Sequence, residues 1–185
     1  GLLMERGQII DRLISVKKTQ ETGSAFRPAR EADMMRRLVQ RHKGILPLDT
    51  AESILRVIIA TFTHVQSPFS VHADLSAGDA MMRDSARFHF GFTVPFVPHV
   101  GAAGVVEAVS ESKGDLGLVP AFATTHGAWW TAPEFASAPT IIARLPFLVR
   151  ADHHAPLNVF GVSRAAPDCS STRLADCGTG SPPTS

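Results

Sequence analysis

The chain has 185 residues, 44% of them hydrophobic, and a mean hydropathy of +0.08, enough apolar material for one medium or two small domains. That composition excludes a wholly disordered protein. Its longest apolar runs, RVIIATF and RLPFLV, fall far short of a bilayer span and no secretory leader is read, so a cytoplasmic protein without membrane attachment is expected.

The net charge of +1 hides an asymmetry. Residues 1–66 hold eleven Lys/Arg against seven Asp/Glu, whereas residues 67–185 hold seven against ten. A cationic first third suits a small dianion. A nucleic-acid binder would carry a denser Lys/Arg stripe, so no nucleic-acid partner is expected.

The first segment, LLMERGQIIDRLISVKK, steps by three and four through Arg6, Ile9/Ile10, Leu13 and Lys17, which predicts one helix face. Thr22-Gly23-Ser24 should end it. Pro28 is a good first-turn residue for a second helix, whose stripe runs from Glu31 through Met34/Met35 to Leu38. His42-Lys43-Gly44 closes that helix with cations and then glycine. Leu46-Pro47-Leu48-Asp49 leads into a third, with Asp49 and Glu52 in capping-box spacing and a stripe of Leu55, Ile58/Ile59, Phe62 and Gln66. Pro68 stops it.

Four polar side chains, Arg6, Lys17, Glu31 and Gln66, thus stand where core residues normally do. One such charge reads as a side chain snorkelling from a helix edge. Four on three successive helices imply internal partners or a charged ligand, because an unpaired buried charge costs several kcal/mol. A buried anion pocket in a helical bundle is the reading that follows.

Residues 69–84 read as a linker. Beyond it, Phe88, Phe90, Phe92 and Val94 alternate with His89, Gly91 and Thr93, which predicts a strand. Gly101 to Glu111 reads as a short helix, and GDLGLVPAF, PTIIARLPFLVR and LNVFGVSR as three strands. Strand, helix, strand in this order predicts an α/β unit with a partly parallel sheet over residues 85–164. Residues 165–185 have no apolar period and read as a disordered tail, and the cysteines Cys169 and Cys177 within it build no disulfide framework. The fold class expected is therefore α+β, an all-α three-helix bundle over 1–68 followed by the small α/β region.

Other candidates carry less. His153-His154 point in different directions as sequence neighbours, Trp129-Trp130 suit packing on a sheet, and Gly101 and Gly104 make no GxGxxG fingerprint. Neither a metal nor a cofactor is expected.

Arg6 followed eleven residues later by Lys17, the Arg30-Glu31 pair opening a second helix and Gln66 near the end of a third together resemble the all-α chorismate mutases, over residues 2–68. RVIIATFTHVQSPF is similar to the third helix of the mutase domain in bifunctional mutase–dehydratase proteins. More weakly, GVVEAVSESKGDLGLVP resembles part of a prephenate dehydratase domain and the periplasmic-binding-protein-like fold. The Thr-Arg-Phe signature of true dehydratases is not found, and no catalytic residue is carried over from them.

The resemblance implies rearrangement of chorismate to prephenate in phenylalanine and tyrosine biosynthesis. This pericyclic step within one molecule needs a held conformer and stabilised charge on the ether oxygen. Arg6 and Arg30 would hold substrate carboxylates, Lys17 and Gln66 would donate to the ether oxygen, and Glu31 would accept from the ring hydroxyl. Arg27, in place of an acidic residue, would add anion affinity. Phe62 replaces a small hydroxyl residue and narrows the pocket.

The resemblance also implies a homodimer and a further arginine upstream of Gly1 that reaches the partner's site. Residues 1–185 alone are therefore expected to have weak or no mutase activity. Two alternatives stand beside the mutase, a non-catalytic module with a retained anion pocket and a bifunctional mutase/prephenate dehydratase.

Overall fold

The computed structural model describes residues 1–17, 26–122, 139–149 and 157–164. Three helices come first: α1 (Leu2–Lys17), α2 (Pro28–Arg41) and α3 (Leu48–Gln66). Pro28 sits at the start of α2 as expected, where its missing N–H removes nothing from the helix. His42 caps the other end through its backbone N–H to Leu38 and Val39, and Gly44 supplies a positive φ of 126° just beyond. The expected capping box differs. Pro47 is the N-cap of α3 with no side-chain cap bond, and Glu52 lies fully buried instead.

The rest is β1 (Val71–Asp74), α4 (Asp79–Phe90), β2 (Phe96–His99), α5 (Ala102–Glu111), β3 (Leu116–Pro120), β4 (Thr140–Leu145) and β5 (Val159–Ser163). They form one sheet in the order β2-β1-β3-β5-β4. The first three strands are parallel, and β5 joins β3 and β4 antiparallel. The mixed α+β class and the partly parallel sheet follow the sequence reading. So do α5 and the last three strands.

Two readings are corrected here. Phe88 to Val94 is no strand: α4 runs to Phe90, capped by Gly91 at φ 67°. Met82, Ala86 and Phe90, spaced by four, are all buried, so the helical period outweighs the alternation, and Phe92 is 83% exposed. The stretch read as a linker, 69–84, holds β1 and the start of α4. Four residues of strand with burial on both faces carry too short a pattern to show in sequence.

Alternation along β1 and β3 divides the core. Val71, Ala73, Leu116 and Leu118 face α4 and α3, in one cluster with Phe26, Ala60, Met82, Ala86 and Phe90. On the opposite face Val119 and Val162 meet Ala102, Val105 and Val109 of α5. The helical and sheet regions therefore share a core, joined mainly by α3 against α4.

The ends of the first helix connection (Thr22-Gly23-Ser24), Trp129-Trp130, His153-His154 and the tail 165–185 lie outside the described residues.

Candidate functional site

The six residues singled out in the sequence lie on α1, α2 and α3, but on more than one face. Arg6 is exposed, with its guanidinium carbon 5.5 Å from the centroid of the Phe62 ring on α3. Gly7 beside it faces Phe62 as well, and a Cβ there would stand at an ordinary contact distance of 3.9 Å from Phe62 Cε1. Gln66 lies four residues beyond Phe62, one turn along the same face of α3, and is exposed. Arg6 and Phe62 thus meet between α1 and α3, with Gln66 one turn further along that face of α3. Lys17 is the last residue of α1, and its side chain lies outside what is described.

Arg27 and Arg30 are exposed around the first turn of α2, Arg27 as its N-cap. Glu31, next in sequence, is buried. Its Oε2 accepts a short hydrogen bond from Nη1 of Arg56, a residue that the sequence reading passed over. The Arg56 side chain is 1% exposed and that of Glu31 5%. Phe147 and Phe90 lie 5.0 and 5.9 Å from the guanidinium carbon, and Phe26 in turn stacks on Phe147. Nε and Nη2 of Arg56 find no acceptor among the described residues.

Position 62 lies six residues on from 56, roughly 120° around α3. Hence Glu31 and Arg6 engage different sides of that helix. Arg56 escapes a sequence reading because two charges at i and i+4 ordinarily mark the wet side, whereas Glu52, Arg56, Ile59 and Ala60 form the buried face of α3. The half-buried Leu55, Ile58 and Phe62 face elsewhere, toward a second packed side.

A further polar chain crosses the sheet on the α5 face. Asp115 Oδ2 accepts from His72 Nε2 at 3.1 Å, His72 Nδ1 meets His99 Nε2 at 2.8 Å, and Asp115 Oδ1 accepts from the Ser70 N–H at 2.7 Å. Desolvation first, and the neighbouring His72 second, hold the His99 pKa below its usual 6.5. The ring centroids stand 5.1 Å apart, the spacing left when two ring radii are added to a straight N–H···N contact. The two nitrogens therefore point at each other and do not converge on a common ion. Among the described residues no group of three or more His, Cys, Asp or Glu could hold a metal, and no helix is long and apolar enough to cross a membrane.

Comparison with known proteins finds a likeness for the first three helices. Residues 1–67 match the family model described as chorismate mutase type II, a span that contains Arg6, Lys17, Arg27, Arg30, Glu31, Arg56 and Gln66. A curated relative extends the likeness into the sheet region. It is the bifunctional chorismate mutase/prephenate dehydratase of Pseudomonas aeruginosa, 28% identical over 132 residues, which are 69% of this chain and 36% of the relative. The chain thus spans about a third of that protein's length. No solved structure matches it.

Proposed function

We propose that this chain carries a chorismate mutase, an isomerase that converts chorismate to prephenate in aromatic amino acid biosynthesis, acting in the cytoplasm as a homodimer without cofactor or metal. Its helical domain, residues 1–68, is the mutase unit, and the sheet region that begins with β1 at Val71 and runs to residue 164 is a dehydratase-like α/β unit without assigned chemistry. The observation that carries this reading is the family match over residues 1–67. The face of Arg6 over Phe62 with Gln66 one turn on supports it.

The chemistry asks for little more. The bond that breaks and the bond that forms lie in one molecule, so no acid, base or nucleophile need act. An arginine holds each carboxylate, best through its two-pronged guanidinium, and Arg6 and Arg30 are the candidates. Arg27 adds positive potential at the positive end of α2, which draws a dianion to that end. As the C–O bond lengthens, charge gathers on the ether oxygen, where Lys17 and Gln66 donate. Interactions that strengthen only there raise turnover and leave ground-state affinity nearly unchanged. Glu31 orients the substrate through its ring hydroxyl.

Chorismate loss followed with the full-length protein tests this. Saturable turnover that falls on mutation of Lys17 or Gln66 is expected, and no turnover at micromolar enzyme would overturn it. One observation favours a second reading, a binding module that no longer turns over. Phe62 occupies the place of a small hydroxyl residue and is covered by Arg6. Chorismate binding by calorimetry without product formation would select that reading.

A further inference from the structure

We infer that Arg56 is a positioning residue for the proposed rearrangement, acting through Glu31, and that the α/β unit takes part by clamping Arg56 between Phe90 and Phe147. The inference rests on the mutase reading.

It starts from an anomaly. The Arg56 guanidinium is withdrawn from water, yet Nε and Nη2 have no acceptor among the described residues. Buried donors are nearly always satisfied, and a buried ion pair seldom stabilises a fold more than apolar side chains of the same volume would. A pair whose cation has two N–H groups without an acceptor among the described residues is therefore a poor device for stability. What it does provide is a carboxylate fixed in direction and matched by a positive charge.

The geometry suits that use. Arg56 binds Oε2 of Glu31, a side chain 5% exposed, so that Oε1 is the oxygen that would meet a substrate hydroxyl. Glu31 follows Arg30 in the first turn of α2, so a carboxylate-holding arginine and a hydroxyl-accepting carboxylate leave one short stretch of backbone. The guanidinium itself cannot swing freely. Phe147, 5.0 Å away, lies in the segment after β4, and Phe90, 5.9 Å away, ends α4, so both rings come from the sheet region. A cation over aromatic faces is held by their quadrupoles, more strongly where water is excluded. Displacing either ring would let Arg56, and with it Glu31, drift from the orientation the hydroxyl needs.

The test is a double-mutant cycle on turnover in the full-length protein. Arg56→Met and Phe147→Leu are each measured alone and combined with Glu31→Gln, with Arg56→Lys as the conservative variant. Phe147→Leu leaves the ion pair in place, so it reports even where Arg56→Met fails to fold. Alone, each should lower kcat by about tenfold to a hundredfold, the scale of a small misplacement. In the Glu31→Gln background each should change kcat by less than about twofold. Arg56→Lys should recover part of the loss, keeping the charge without the planar stack.

Equal drops in both backgrounds would show that Arg56 and Phe147 act only on the fold and would overturn the inference alone. An unmodified protein without turnover would overturn the mutase reading and the inference together.

Discussion

Removing one half of the Glu31–Arg56 pair strands a charge where no water takes it up. Arg56→Ala should destabilise the protein by about 3–5 kcal/mol, whereas replacing both residues by methionine should cost less, since neither partner is left without the other while Glu52 stays buried one turn away. Urea unfolding of the two variants checks this, and equal losses would show that packing alone matters at the site. In the mutase reading the donors to the ether oxygen behave differently, because they act on charge absent from the ground state. Lys17→Ala and Gln66→Ala should each lower kcat by an amount worth about 3 kcal/mol, with KM little changed. Normal turnover in both would remove them from the mechanism. A third residue-scale expectation concerns His99. Its pKa is lowered in the fold, so the unfolded chain takes up the proton first as pH falls. The stability it contributes is complete above the ordinary value of 6.5 and is lost as pH drops through the lowered folded value. His72, Asp115 and Asp74 share that face with it, and Asp115 reaches it only through the His72 ring. His99→Gln should flatten the pH dependence of urea unfolding below neutrality, and an unchanged slope would assign it to other groups.

Elements were readable wherever one period dominated. The stripe Glu31, Met35 in α2 is buried on one face, and the apolar run of β3 is buried on both, so each pattern has one meaning. Where two packing surfaces meet on one element, the pattern becomes ambiguous. Helix α3 lies against α1, α2 and α4, and the stripe chosen from the sequence follows its half-buried side while Glu52 and Arg56 occupy the dry one. Helix α4 was masked by aromatic alternation at its end. Of the polar residues read into the core stripes, Glu31 is buried while Arg6 and Gln66 are exposed, and Arg56 was not visible, since its partner is twenty-five residues away and the rings beside it come from beyond the first three helices. Strand β3 shows how tight such contacts are. A Cβ on Gly117 would stand 2.6 Å from Val105 Cγ1 and 3.3 Å from Val109 Cγ2, both on α5. Gly117→Ala should force α5 from the sheet and destabilise the protein by about 1–3 kcal/mol, the usual cost of overpacking. A neutral effect in urea unfolding would mean that α5 shifts freely.

For the whole molecule the decisive surface is α1. Leu2, Leu3, Met4 and Ile9 are 84%, 55%, 73% and 58% exposed, while the core proper is built by α3, α4, α5 and the sheet. One helix displaying four large apolar side chains within eight residues is costly in water, at about 25 cal/mol for each Å² left uncovered. Leu2 and Ile9, seven residues apart, share one face of α1 that calls for a cover, and a second copy of the same helix offers a matching one, since a two-fold contact sets equal patches against each other. A homodimer through α1 would also bring Arg6, Phe62 and Gln66 beside their counterparts, where cations from two chains could hold one dianion. The expected outcome is a dimeric mass by light scattering at micromolar concentration. Leu2→Asp with Ile9→Asp should shift it to monomer and, in the mutase reading, lower turnover together, while the sheet region keeps its pH response. A monodisperse monomer of the unmodified full-length protein would overturn the dimer. Dissociation by the two substitutions without loss of turnover would place the whole site within a single chain.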